Sequence, residues 1–293
     1  MARKKTDVLT SHQGKNGGRE SKLSEEQLTK MKTELHQIDF WSNSDVRAYL
    51  EEEFNVQYCK RSVVNLLRGF GMYYYKPSPI DIHRPKNADN ILKMRLNGLK
   101  QQLELDNVKF ENCSFGFCDE TSYQNYHNSS RLWSFFKKRK EVNSKRNRLS
   151  TFGFYAMKGN SVYCELENAK SDRFVDALKE VKNANSEAEA IIVLWDNFSS
   201  HKSQAVKEYA RENNIYLVYL PPYSPDLNPI EQLWKQIKRS LSQQGIIKSK
   251  DVLSEFIQEQ WSELASKLST GIRWFKEYID PLFPSVQLGK TES

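Results

Sequence analysis

Two acidic residues, Asp196 and Glu231, stand where the regular elements of this chain would bring them together. Asp196 ends an unbroken apolar run, Ile191-Ile192-Val193-Leu194-Trp195, which reads as a strand buried on both faces, as in a parallel sheet beneath helices. Gln204 to Asn213 puts Ala205, Val206, Tyr209 and Ala210 on one helical stripe. Ile215 to Leu220 is a second β-rich run, so the unit is strand, helix, strand with a right-handed crossover. The connection from Pro221 to Pro229 then delivers Glu231 into the first turn of a helix carrying Leu233, Trp234, Ile237 and Leu241. One acid at a strand end and one at a helix start are what a divalent-metal site for phosphoryl chemistry needs. Two carboxylates 4 Å apart repel by roughly 4 kcal/mol at an effective dielectric near 20, and a bound Mg²⁺ would relieve that. Purely local explanations compete. Asn228 as N-cap, Pro229 at N1 and Glu231 at N3 spell an Asn-x-x-Glu capping box, and Asp196 before Asn197 can simply end a strand.

The elements that must position these acids set wider bounds. A chain of 293 residues suggests one large domain and one small one. Its 38% hydrophobic and 12% aromatic content suffices for a core. No apolar run approaches the ~20 residues that cross a bilayer and no signal-peptide pattern opens the chain, so the expectation is a cytoplasmic protein with no membrane partner. Cys59, Cys113, Cys118 and Cys164 lack paired metal spacing and read as reduced, mostly buried thiols. The net charge is +7. Between Arg131 and Arg148 stand eight Lys/Arg against the single Glu141, so Lys137, Lys138, Arg139 and Lys140 are candidate contacts to a DNA backbone, with a solvated hairpin as the alternative.

Residues 1–21 read as a flexible basic tail. In 22–75, Ser24 followed by Glu25-Glu26-Gln27 is a helix start, with Leu28, Met31 and Leu35 continuing the stripe. A second helix begins near Ser44 with Val46, Tyr49, Leu50 and Phe54. A turn at Asn55-Val56-Gln57 leads to a third, Lys60 to Arg68, with Val63, Val64, Leu66 and Leu67 inside. Three short helices with this last turn read as a small all-α helix-turn-helix domain whose third helix offers Lys60, Arg61, Ser62 and Asn65 to phosphates and base edges. A plain three-helix bundle is the alternative. Tyr73-Tyr74-Tyr75-Lys76-Pro77 forms either a wing or a packing strap, and Pro77, Pro79 and Pro85 make 76–90 a semi-rigid linker.

Residues 91–293 then carry a mixed sheet. Ile91 to Leu105 is helical, and Cys113 to Glu120 opens the sheet. Alternation puts Cys113, Phe115, Phe117 and Asp119 on one face, so Asp119 and Glu120 point to opposite sides and only one can join Asp196 directly. Leu149 to Met157 and Ser161 to Leu166 pair across Lys158-Gly159-Asn160. With the Asp172 to Val181 helix the order is β-β-β-α-β-α-β-α. Val252 to Leu268 and Trp274 to Ile279 are expected to cover the sheet.

The segments Trp195-Asp196-Asn197-Phe198-Ser199-Ser200-His201, Leu220 to Glu231 and Trp234-Lys235 closely resemble the catalytic domain of mariner-superfamily DDE transposases, nearest to their prokaryotic insertion-sequence relatives. The resemblance covers about two-thirds of the chain, from Phe115 onward. Retroviral-type integrases resemble it less, because their zinc-binding His and Cys cluster is absent. The resemblance implies an RNase H-like α/β fold, a mixed sheet flanked by helices. It implies two Mg²⁺ ions, with Mn²⁺ able to substitute, held by a catalytic triad of Asp119, Asp196 and Glu231, since Asp119-Glu120-Thr121-Ser122-Tyr123 matches the first-acid motif. His201 matches the family pattern too. It orients a carboxylate, a water or a phosphate, or else caps the helix starting near Ser203, while Asn197 is a further neighbour. Implied partners are double-stranded DNA, as transposon terminal inverted repeats and a TA target, and a second copy in a homodimer, in a prokaryotic nucleoid. Relatives commonly carry two helix-turn-helix units, and only the second type is found here. Two other outcomes are a transposase-derived DNA-binding protein without catalysis and a structure-selective nuclease without strand transfer.

Overall fold

The computed structural model describes residues 21–38, 41–75, 81–125, 146–166, 171–244, 246–284, 286 and 288. Lys137, Lys138, Arg139 and Lys140, and nearly all of the N-terminal tail, lie outside the described residues. The chain divides into two units, Met1–Pro79 and Ile80–Ser293.

In the first unit, helices α1 (Glu25–Leu35), α2 (Asn43–Phe54) and α3 (Lys60–Gly69) follow one another. Ser24 and Gln27 form a reciprocal capping box at α1, and Ser42 and Asp45 do the same at α2. Each box satisfies two backbone donors that would otherwise be orphaned at a helix start. Asn55 ends α2 in the left-handed region at φ 51°, a conformation its short polar side chain tolerates. Leu23, Met31, Leu35, Val46, Leu50 and Val63 form the core. Of the four α3 residues expected inside, only Val63 is fully buried. Leu66 and Leu67 pack at its margin and Val64 is half-buried, because a bundle this small covers a narrow stripe of its last helix. Tyr73, Tyr74 and Tyr75 have no strand pairing and stand exposed.

The second unit begins its regular structure with α4 (Ala88–Leu105), followed by β1 (Cys113–Gln124), β2 (Arg148–Lys158), β3 (Val162–Leu166), α5 (Ser171–Ala184), β4 (Ala190–Trp195), α6 (Gln204–Glu212), β5 (Ile215–Tyr219), α7 (Ile230–Gln243), α8 (Lys250–Ala265) and α9 (Ile272–Tyr278). The strands form one sheet in the order β3-β2-β1-β4-β5. β2 is antiparallel to β1 and β3, whereas β4 is parallel to β1 and β5. Every residue of β4 is buried, which explains its uninterrupted apolar sequence: Ile192 and Leu194 join the layer of α4, α7, α8 and α9, while Ile191, Val193 and Trp195 join that of α5 and α6. Each such side chain contributes about 1.5–3 kcal/mol on burial. Leu253, Ile257, Trp261, Trp274 and Phe275 belong to the first of these layers, so α8 and α9 cover the sheet as expected. Two local expectations differ: Ala205 is exposed on α6, and Cys59 is an exposed thiol whereas Cys113 and Cys118 are buried.

Candidate functional site

The sheet register sets the site. In the parallel pair of β1 and β4, Phe117 is the partner of Leu194. Asp119 and Asp196 each lie two residues beyond that pair, so they share one height and one face at the carboxyl end of the sheet. The pairing of the two strands ends at this point. Glu231 comes to the same face from the first turn of α7, whose Ile230, Leu233 and Trp234 are buried in that layer.

The loop before α7 is tied to the sheet by Asn228, whose Nδ2 donates to the Cys118 carbonyl at 3.2 Å. This overturns the capping box suggested by Asn-x-x-Glu. The helix starts at Ile230 with no side-chain cap: Asn228 is held on β1 by its Nδ2, its Oδ1 is buried without reaching a backbone N–H, and Glu231 is left to face the cleft. Asp119, Asp196 and Glu231 together line a cleft of about 390 Å³, with Asn197, Phe198, Ser199 and Tyr223 among its other walls.

The electrostatics of the three acids are uneven. Burial, with the negative charges of Glu231, Glu120 and Asp196, pushes the Asp119 carboxyl well above the usual carboxylate range. Its Oδ2 accepts the Trp234 indole N–H at 2.9 Å. That indole fits because residue 153, opposite Asp119 on β2, is glycine: a Cβ there would meet Trp234 at 2.6 Å and Trp261 at 2.7 Å. At Asp196, burial works upward but is outweighed. His201, the Phe198 backbone N–H at 3.0 Å and Lys202 hold its carboxyl below the ordinary value.

His201 is completely buried, its Nδ1 lying 2.6 Å from Asp196 Oδ1, off the line of a straight hydrogen bond, and its Nε2 3.0 Å from Glu120 Oε2. Burial lowers the imidazole pKa, yet the two carboxylates outweigh it and bring it up to about 9. The cap of α6 is Ser203, whose Oγ accepts from the Val206 N–H at 3.4 Å. His201 therefore lies between two carboxylates and does not cap the helix. Asn197 sits on the cleft wall with a buried, unpartnered Oδ1.

An all-oxygen donor set suits a hard cation such as Mg²⁺, and a carboxyl destabilised in its ionised form by neighbouring acids gains most from one. The residues present fit such a cation. Among the described residues no three His, Cys, Asp or Glu side chains already close on a single point; the acids ring the cleft. On α3, Lys60, Arg61 and Asn65 are exposed and Ser62 is half-buried beside the Cys59 thiol at 3.2 Å. Sequence reasoning missed the bonds made by Trp234, Asn228 and Glu120. Trp234 read only as part of an apolar stripe, and nothing in its spacing announced a polar task for its N–H.

A five-stranded mixed sheet of this order, flanked by helices and carrying acids at the ends of its two central parallel strands and at a following helix start, defines an RNase H-like domain. Residues 114–254 match the DDE superfamily endonuclease family, and residues 37–85 match a winged helix-turn helix family. The chain thus carries a DDE superfamily endonuclease domain behind a helix-turn-helix, and is homologous to the transposases of insertion and transposable elements. It is 32% identical over 83 residues to an uncharacterised 39 kDa protein of insertion element IS630 from Shigella sonnei, covering 28% of this chain and 24% of that protein. It is 42% identical over 50 residues to the Tcb2 transposase of Caenorhabditis briggsae, covering 17% of this chain and 18% of that one. These matches therefore span a quarter or less of the relatives' lengths. The fold is similar to that of the mariner Mos1 paired-end complex crystallised with Mg, with a TM-score of 0.61 and 16% identity over 96% of this chain and 84% of that one.

Proposed function

We propose that this protein is a DNA transposase that cleaves at the ends of its element and joins the freed 3′-hydroxyl to target DNA, with Asp119, Asp196 and Glu231 as the catalytic, metal-holding acids. The observation that carries this reading is the shared height and face of Asp119 and Asp196, with Glu231 facing the same cleft. When bound there, two Mg²⁺ ions, or Mn²⁺ in their place, supply an activated water or 3′-hydroxyl and stabilise the leaving oxygen of an in-line displacement. The protein's own contribution is position. The Trp234 indole holds Asp119 by Oδ2, while the Phe198 N–H and His201 hold Asp196 by Oδ1. Asn228 sets the start of α7 against β1 and so fixes where Glu231 enters.

In the first unit, Lys60, Arg61, Ser62 and Asn65 on α3 read the element's terminal inverted repeats. Lys137, Lys138, Arg139 and Lys140 follow the DNA backbone. The working species is a homodimer that brings two ends together on the nucleoid in the cytoplasm and inserts at TA. The test is a set of near-isosteric variants. Asp119→Asn, Asp196→Asn and Glu231→Gln each fold and bind end DNA like the parent, while losing Mg²⁺-dependent cleavage. Since no capping role competes for Glu231, near-normal cleavage by Glu231→Gln would remove it from the triad. Cleavage without joined products in the parent would make the protein a nuclease.

A further inference from the structure

Glu120 belongs to β1 but faces away from the cleft, on the side of the sheet opposite Asp119. Its carboxylate nevertheless has two partners that lead back to the site: the Trp195 indole N–H reaches Oε1 at 3.1 Å, and His201 Nε2 lies 3.0 Å from Oε2. The imidazole is walled in. It stacks on Trp195 at 4.1 Å and 18°, meets Phe174 edge-on at 4.7 Å, and has Phe198 at 5.6 Å. The Tyr219 hydroxyl donates to the His201 carbonyl at 2.8 Å, which pins the backbone as well. Within these walls one ring nitrogen faces Glu120 and the other faces Asp196 Oδ1.

We propose that Glu120 is a positioning residue that acts on Asp196 through His201. By fixing the imidazole from behind, it keeps Nδ1 on Oδ1, the same oxygen that takes the Phe198 N–H, and so turns Oδ2 of Asp196 toward the cleft. Neighbouring residues of one strand then serve the site from both faces, Asp119 as a ligand on the near side and Glu120 as a brace on the far side. This inference rests on the metal-holding role proposed for Asp196. Residues behind a metal ligand typically cost 10–100-fold in metal affinity when altered.

Mn²⁺ alone, titrated into the full-length chain in the absence of DNA and followed by the electron paramagnetic resonance signal of the free ion, reads this without catalysis. The near-isosteric Glu120→Gln has one acceptor oxygen for two donors, and is expected to bind Mn²⁺ about 10-fold more weakly at a temperature where both proteins are fully folded. A brace acting through His201 has nothing left to hold once the imidazole is gone. In a His201→Ala background, adding Glu120→Gln is therefore expected to change affinity by less than about 2-fold, the non-additivity of residues acting in series. A merely structural Glu120 would instead give the same loss in both backgrounds, and that result overturns the inference, as does parental Mn²⁺ affinity in Glu120→Gln. Asp196→Asn separates the two levels. If it binds Mn²⁺ like the parent, the metal-site reading falls and takes this inference with it; if it is defective while Glu120→Gln is normal, only the inference falls.

Discussion

Substituting Gly153 by alanine tests how tightly the sheet, the tryptophan pair and Asp119 are coupled. A Cβ at residue 153 would stand 2.6 Å from Trp234 Cη2, 2.9 Å from its Cζ2 and 2.7 Å from Trp261 Cη2. Carbon atoms rest at ~3.5–4.0 Å, so both indoles must retreat by about 1 Å. They stack on each other at 5.0 Å and are almost wholly buried, which leaves little space to retreat into. Overpacking of this kind costs about 1–3 kcal/mol of stability. The same displacement stretches the 2.9 Å bond from Trp234 Nε1 to Asp119 Oδ2, and a bond to a charged group is worth about 1.5–3 kcal/mol. Misplacing a reacting group by 1 Å can cost about 100-fold in rate. Gly153→Ala is therefore expected to lower the denaturant midpoint and to slow Mg²⁺-dependent end cleavage by 10-fold or more, and a second substitution, Trp261→Leu, to recover part of both by making room. Parental stability would refute the packing argument. Lost stability with parental cleavage would show that the Trp234 bond does not position Asp119.

Four other outcomes are expected. Because its neighbours and burial raise the folded-state pKa of Asp119, ionising it opposes folding: stability should decline as pH rises above the ordinary carboxylate range, and Asp119→Asn should melt higher than the metal-free parent at neutral pH while losing any Mg²⁺-induced stabilisation. A metal-free Asp119→Asn protein melting well below the parent would contradict this. His201 is raised from 6.5 to about 9, so its contribution is complete below about pH 6.5 and lost as pH rises through 9. Melting scans across that window should show the decline in the parent and not in His201→Asn, and a parental curve flat over it would argue against a charged imidazole. On the DNA side, Lys60→Ala with Arg61→Ala should weaken binding to the element's ends more than to unrelated DNA. Neutralising Lys137, Lys138, Arg139 and Lys140 should flatten the salt dependence by up to about 0.9 per lost phosphate contact, and an unchanged salt slope would remove that segment from the DNA path.

The sequence by itself determined the strands of the sheet and singled out the candidate acids. The apolar run into Asp196, the alternation that separates Asp119 from Glu120, and the strand-helix order are local periodicities, and a period survives whatever the chain later packs against. The long motif from Leu220 to Glu231 likewise located the candidate third acid. What only the tertiary structure decided are the contacts between residues far apart in the chain. Asn228 had a good local use as a helix cap, but in the folded chain its Nδ2 donates to the Cys118 carbonyl, 110 residues away, and its Oδ1 is buried without making the capping bond. Trp234 looked like one more core residue until β2 brought Gly153 opposite Asp119 and opened the space for its indole. The Glu120, His201 and Asp196 chain joins two strands and a 3₁₀ turn. Periodicity reports which face a side chain takes; which polar atom waits on that face depends on the strand register and on the elements packed above it, and these exist only once the sheet has closed.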